Sequence, residues 1–285
     1  MQDWENIEKH AILEHNEKAG KKDFRNRLLG KDLSAYSIYH HYGLGKVNGL
    51  KKVLERKNSQ KLKELIYGLE RAQSHYLVGL LEKFVKKNFK VLDCGSGSGG
   101  TAFDLNEKYG CFVEGLSIAS EQVKFTNRIA RLRKVNGKVK FHCMNMKDLK
   151  FEENSFDCTI TNETTMYVSL DNFYKGLTRV LKKNGKYALA SWCRANNHLK
   201  NNKFADKIDM HYTVRMHSIK EYKKALKNNG FKILKFKDLT NNAIDYWKLR
   251  INSPISSKVD KPFLEGLENG YLKYFMILAE LERKK

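Results

Sequence analysis

From residue 90 onward, short apolar runs of β spacing alternate with amphipathic stretches. The β-rich runs lie at 91–94, 111–116, 139–143, 156–161, 185–192, 231–239 and 271–279. Helical spacing, with apolar residues three and four apart, fills 101–109, 120–133, 170–181 and 218–229. Strands that alternate with helices predict a parallel sheet wrapped on both faces. Ahead of this region the pattern differs. Leu65, Leu69, Ala72, Tyr76, Leu77, Leu80 and Leu81 form one helical stripe, residues 1–36 are polar with helical spacing in part, and 45–63 reads as a basic, flexible segment. The change places a boundary near residue 80, with a helical extension at 1–80 and an α/β domain at 81–285. The last two strands are separated by a long stretch holding both prolines, Pro254 and Pro262, in which no element is assigned.

A chain of 285 residues can bury a full core without metal or disulfide staples. With 41% apolar and 11% aromatic residues it does not have a disordered composition. No run approaches the roughly 18–20 continuous apolar residues of a membrane span. The stretch MQDWENIEKH lacks the apolar core of a secretory signal. The expectation is a soluble, cytoplasmic protein with no membrane partner. Cys94, Cys111, Cys143, Cys158 and Cys193 contain no CxxC pair and read as buried thiols. The formal net charge of +22 points toward nucleic acid. Yet the basic residues are spread over the whole chain, often on polar helix faces, and no RNA-binding module is visible. A nucleic-acid partner is not expected, and a tRNA or rRNA substrate stays an alternative.

The strongest local signal is Lys90-Val91-Leu92-Asp93-Cys94-Gly95-Ser96-Gly97-Ser98-Gly99-Gly100, an apolar strand running through GxGxG into a helix. Glycines let the backbone turn sharply and approach a ligand, and the helix that follows offers free N–H groups. Asp93 stands at the C-terminal edge of the strand, where open α/β sheets bind ligands. An acid there repels a pyrophosphate and suits a cationic sulfonium or amino group. That favours S-adenosylmethionine over a nicotinamide dinucleotide; the plainer reading is a glycine-rich loop without a ligand.

VLDCGSGSGG resembles the first motif of the class I S-adenosylmethionine-dependent methyltransferases. The resemblance implies a Rossmann-like, seven-stranded, mostly parallel sheet with helices on both faces, here with a helical N-terminal cap. It also implies a donor site at Asp93, Gly95, Gly97, Gly99 and Asn162. Ser117 stands in register with the acid that the superfamily places on the ribose hydroxyls, and Glu114 lies three positions earlier. Gln122 resembles the polar residue used instead by cyclopropane synthases and terpene methyltransferases. Asn145 and Met146 resemble the adenine-binding corner; the plainer alternative for Met146 is ordinary core packing.

Three segments bear on the methyl acceptor. In Asn162-Glu163-Thr164-Thr165-Met166-Tyr167-Val168 an acid, hydroxyls and a phenol cluster after the fourth strand. A carboxylate there suits proton removal after methylation at carbon, or serves as a hydrogen-bond partner behind the site. Tyr39, His40, His41 and Tyr42, followed by Gly43-Leu44-Gly45, make a donor-rich patch that suits a phosphate or a metal-bound diphosphate; the competing reading is a helix-capping turn with solvated histidines. Leu69-Glu70-Arg71-Ala72-Gln73 reads as helix, and 211–218 as a loop.

The order of these pieces, with Met216-His217-Ser218-Ile219-Lys220-Glu221-Tyr222 and the tail Asp245-Tyr246-Trp247-Lys248-Leu249-Arg250, resembles the prenyl diphosphate C-methyltransferases, geranyl diphosphate 2-C-methyltransferases among them, over about residues 25 to 280. The resemblance implies magnesium as a second cofactor and a homo-oligomer. It places Asn26, His40, Tyr42 and Trp192 at the substrate and Glu70 and His40 in an outer metal shell. Glu163 is then the general base, with Tyr167 and Tyr212 beside the developing cation. The spacing from Gly30 to Tyr42 is about two residues longer than the family pattern, and Tyr212 stands where the family often carries phenylalanine. The expected reaction is methyl transfer to an alkene carbon of a prenyl diphosphate, geranyl diphosphate first, isopentenyl or farnesyl diphosphate next. A sterol or fatty-acid carbon is the nearest alternative, and a scaffold role would leave Glu163 idle.

Overall fold

The computed structural model describes residues 3–19, 38–39, 41–56, 58–199 and 201–282. Seven strands form one sheet: β1 (Lys90–Cys94), β2 (Phe112–Ser117), β3 (Val139–Cys143), β4 (Phe156–Asn162), β5 (Leu181–Arg194), β6 (Phe231–Asp238) and β7 (Leu272–Leu281). Their order is β3-β2-β1-β4-β5-β7-β6. The first five run parallel, and β7 lies antiparallel between β5 and β6. The chain leaves β1 for one side of the sheet and returns to β4 on the other, so the loops after β1 and β4 open side by side. That reversal is where doubly wound sheets hold ligands, and it brings the glycine-rich turn beside Glu163.

Successive strand residues face opposite sides of the sheet, and both sides are covered. Val91, Val113, Ile160, Ala188 and Met276 share one apolar cluster, while Leu92, Leu116, Leu189 and Ile277 belong to the other. The second cluster is covered by α6 (Leu170–Val180), through Phe173 and Leu177, and by α8 (Ile219–Asn228), through Tyr222 and Leu226. Onto the first cluster pack α4 (Gly100–Tyr109), α5 (Ser120–Leu132) and α3 (Ser59–Gly79). In α3, Leu62, Ile66, Leu69, Leu77 and Val78 are buried, and each such side chain contributes about 1.5–3 kcal/mol by leaving water. The helical extension and the sheet therefore share one core.

The segment 45–63, expected to be flexible, holds the short α2 (Leu50–Glu55) and the start of α3, whose N-cap Asn58 accepts the Lys61 N–H. The proline-containing stretch between β6 and β7 folds as α9 (Thr240–Ile251) and α10 (Asp260–Glu268). Thr240 and Arg250 sit in the buried stripe of α9 and blur its apolar period. Pro262 lies in the first turn of α10, where its missing N–H has no helical partner to lose. Residues 203–212, beginning eight residues before the expected loop, form α7 (Lys203–Tyr212) and carry Tyr212 at its last position.

Two further pieces close over the sheet's ligand edge. Helix α1 (Trp4–Ala19) buries Ile7 and Ala11. Its Trp4 ring stacks on His217 at 6.0 Å, and His15 meets the edge of Tyr167 at 5.6 Å. The strip 41–47 is stapled between α3 and α9: the Leu44 N–H donates to Leu69 O, the Gly45 N–H to Asn242 O, and the Val47 N–H to Asp245. Gly43 is required there, because a Cβ would lie 2.3 Å from the Tyr246 ring. The strip is neither helix nor cap, and His41 is buried rather than solvated.

Candidate active site

One cavity of about 460 Å³ opens above the β1 and β4 ends. Its donor half is built on the glycine-rich turn. Gly95 and Gly97 have positive φ, and a Cβ on Gly95 would strike Thr164 at 2.6 Å. Bare backbone is what lets the turn and the 163–164 loop close on each other. Asp93 is fully buried on the cavity wall, and among the described residues neither of its oxygens has a hydrogen-bond partner. Burial alone raises its carboxyl to about 7. A buried acid with two unmet acceptors needs a donor-bearing or cationic ligand, and the cationic, amine-bearing S-adenosylmethionine fits that need.

At the end of β2 the hydroxyl and amide expected from the sequence stand where the superfamily usually places an acid. The Ser117 hydroxyl donates to Gln122 Oε1 at 2.7 Å and accepts the Ala119 N–H at 3.0 Å. Both residues line the cavity, as do Asn145, Met146 and Asn162. Asn145 turns its Oδ1 to the Lys147 N–H, while Met146 also packs into the second core cluster. Glu114 lies off the cavity, held by His142 at 2.5 Å, and so does not replace the acid. Gly99 stands outside the cavity lining; its positive φ starts α4 and lets the Phe103 and Phe141 rings approach.

Glu163 sits at the junction of the two halves. Its backbone is in the left-handed region (φ 55°), a conformation that surrounding structure must hold. The Glu163 N–H donates to Ala190 O, and the side chain is clamped from both sides. Tyr274 OH donates to Oε1 at 2.7 Å, and the Tyr42 N–H donates to Oε2 at 3.0 Å. Burial raises the carboxyl to about 8, against the pull of these two donors and of the Trp192 indole, and with a push from Glu70. Around it stand aromatic faces. Tyr42 OH donates to Tyr212 OH at 2.8 Å, and the Tyr42 ring lies 5.9 Å from Trp192. Tyr167 completes the wall. Burial pushes all three phenols upward, so they remain neutral and present π faces.

Sequence reasoning missed two features. Arg250 lines the cavity and makes a forked, buried pair with Asp260 at 3.1 and 3.2 Å; a lone arginine within an apolar stripe was the available signal. Gln73 and Tyr274, far apart in the chain, meet behind Glu163. Of the remaining expected residues, Glu70 is buried, accepts from Tyr246 OH and does not reach the cavity lining. Asn26 and His40 lie outside the described residues. Among the described residues no three His, Cys, Asp or Glu side chains gather to hold a metal, and no helix is long and apolar enough to cross a membrane. Magnesium that bridges diphosphate oxygens keeps most of its waters and needs no protein cage. All five cysteines are free; Cys143 is exposed, the other four buried.

Residues 85–238, more than half of the chain, match the family model described as a methyltransferase domain. The geranyl diphosphate 2-C-methyltransferase of Saccharopolyspora erythraea is 32% identical over 248 residues, 85% of each chain. A geranyl diphosphate methyltransferase solved with geranyl diphosphate and sinefungin superimposes with a TM-score of 0.88 at 28% identity, covering 96% of this chain and 99% of that one. The Streptomyces coelicolor A3(2) geranyl diphosphate C-methyltransferase, solved with Mg2+, geranyl diphosphate and S-adenosyl-L-homocysteine, gives 0.86 at 26% identity, over 96% of this chain and 98% of its own. With its switch-point cavity, glycine-rich turn and clamped carboxylate, the chain belongs to the class I S-adenosylmethionine-dependent methyltransferases, in the family of the geranyl diphosphate 2-C-methyltransferases.

Proposed function

We propose that this chain moves a methyl group from S-adenosylmethionine to an alkene carbon of a prenyl diphosphate, geranyl diphosphate first, with isopentenyl and farnesyl diphosphates next. One observation carries the reading. A buried, two-point-clamped carboxylate and the neutral aromatic faces of Tyr42, Tyr167, Trp192 and Tyr212 share one cavity with the donor turn.

S-adenosylmethionine, when bound, would supply an electrophilic methyl group: the alkene π pair would form the new C–C bond, the S–CH3 pair would stay on sulfur as S-adenosylhomocysteine, and a tertiary cation would remain on the acceptor. The π faces around Glu163 stabilise that cation by about 1–2 kcal/mol or more in a dry site. Glu163 then accepts a proton from the carbon next to it, and the C–H electron pair restores the alkene. Positive charge beside the carboxyl draws it below its resting value near 8, so the base is ionised when needed. Arg250, which lines the cavity with its Nε and Nη2 held by Asp260, suits the anionic diphosphate, which anchors the acceptor and is not cleaved. Magnesium belongs to this reading as the cation that would offset the charge of the diphosphate held near Arg250.

The test incubates the protein with methyl-labelled S-adenosylmethionine, magnesium and each prenyl diphosphate, then weighs the dephosphorylated products. A gain of one methylene on one acceptor, lost in Glu163→Gln, supports the reading. No transfer to any of them, with the donor still bound, overturns it and moves the search to sterol, fatty-acid and tRNA acceptors. The reading carries with it a homo-oligomer in the cytoplasm, tested by light scattering and fractionation.

A further inference from the structure

Behind Glu163 a line of buried polar side chains crosses the molecule. Asn162 Nδ2 donates to Thr101 Oγ1 at 3.0 Å and to Gln73 Oε1 at 3.0 Å. Gln73 Nε2 donates back to Asn162 Oδ1 at 2.7 Å and to Tyr274 OH at 2.6 Å. Tyr274 OH donates to Glu163 Oε1. An ionised Glu163 carboxylate only accepts, so the single phenol proton of Tyr274 goes to it, and Gln73 must turn its Nε2 to the phenol and its Oε1 to Asn162 Nδ2. An amide nitrogen only donates, so the phenol receives there.

We propose that Gln73 and Tyr274 are positioning residues for the methyltransferase base: a hydrogen-bond chain of fixed polarity, rooted at Asn162 and Thr101 on the donor side, that holds Glu163 in its left-handed conformation and keeps Oε1 an acceptor. The inference rests on Glu163 being the base. Gln73 and Tyr274 are 0% and 4% exposed and stand outside the cavity lining. Amides do not relay protons as hydroxyls do, so the chain orients the base without draining it. The proton taken from the acceptor leaves through the cavity.

The groups facing Glu163 are Tyr42 from the 41–47 strip, Glu70 from α3, Tyr167 from the 165–167 turn, Trp192 from β5 and Tyr274 from β7. Of the side chains among them, only Tyr274 makes a direct hydrogen bond to the carboxylate with good geometry. Removing it takes away a bond that favours the ionised form. The carboxyl of Glu163 can be followed without turnover by infrared difference spectroscopy over a pH series, with Glu163→Gln as the blank. Tyr274→Phe is expected to move the midpoint upward by about one pH unit, and Gln73→Met to move it the same way by less, since the phenol is then free to turn. Tyr187→Phe, a buried phenol bonded to Thr161 in the other core cluster, is expected to lose stability and leave the midpoint in place. In the assay, Tyr274→Phe is expected to lower kcat at least ten-fold with little change in donor affinity, and to move the pH profile with the infrared midpoint. An unmoved midpoint in Tyr274→Phe overturns the proposal; if that variant does not fold, an unmoved midpoint in Gln73→Met does so. A moved midpoint with an unmoved pH profile instead shows that Glu163 is not the base, so the two readings fail separately.

Discussion

Glu163 carries three constraints that a carboxylate in water lacks: a left-handed backbone, two fixed donors and little solvent. Burial wins over the donors, and the group settles near 8. For catalysis, kcat/KM is expected to rise as pH approaches 8, and Glu163→Gln to lower turnover by roughly 10²–10⁴. For stability the sign runs the other way. A carboxyl raised from 4.5 to about 8 contributes its stability below 4.5 and loses it as pH rises through 8. Glu163→Gln is therefore expected to be more stable than the parent at pH 9 by a few kcal/mol, on the order of 3–5, and nearly equal to it at pH 4, as read by urea unfolding. Asp93 offers a second check. With its carboxyl near 7, binding of a cationic donor at pH 7 is expected to release about half a proton. Calorimetry in buffers of different ionisation enthalpy measures that release, and Asp93→Asn should abolish it.

Elements with a clean apolar pattern were legible, and those that bury polar groups were not. All seven strands appear within a few residues of their expected places, because most are covered on both faces and so read as short, nearly continuous apolar runs. Helix α9 was invisible because Arg250 and Thr240 occupy its buried face, and they do so for reasons outside the helix: Arg250 reaches Asp260 on α10, and Thr240 accepts the Tyr274 N–H. The strip 41–47 has no regular structure, yet it is one of the most constrained parts of the site. Gly43→Ala is expected to destabilise by about 1–3 kcal/mol, the usual penalty for overpacking, and to slow turnover more than Gly68→Ala on α3, where a Cβ meets nothing within 4 Å. Denaturant midpoints and kcat for the two variants measure this. Equal effects would show that the strip does not position Tyr42.

At the scale of the whole molecule, the division near residue 80 is a change of sequence texture and not a break in packing. Leu62, Ile66, Leu69 and Leu77 lie in the same cluster as Val91, Val113 and Ile160. Glu163 takes one donor from each side of the division, Tyr42 and Tyr274. Calorimetry is expected to show one unfolding transition for the full chain, and a fragment of 81–285 is expected not to reach it, since the removal of α3 exposes the apolar face it covers. Two separable transitions would restore the division as a domain boundary.

Local patterns were enough for the layered α/β fold, the glycine-rich turn and its acid, and the acid–phenol segment at 162–168. Periodicity, φ preference and charge act over a few residues, so they can be read along the chain. Long-range contacts decided the rest. Glu70 turned to Tyr246, 176 positions away. The chain from Asn162 through Gln73 and Tyr274 to Glu163 joins α3, β4 and β7 and has no signature along the sequence. Hydrogen bonds between side chains that close loops of such length form only once the sheet and its covering helices have packed, so the orientation of the base is a property of the tertiary structure.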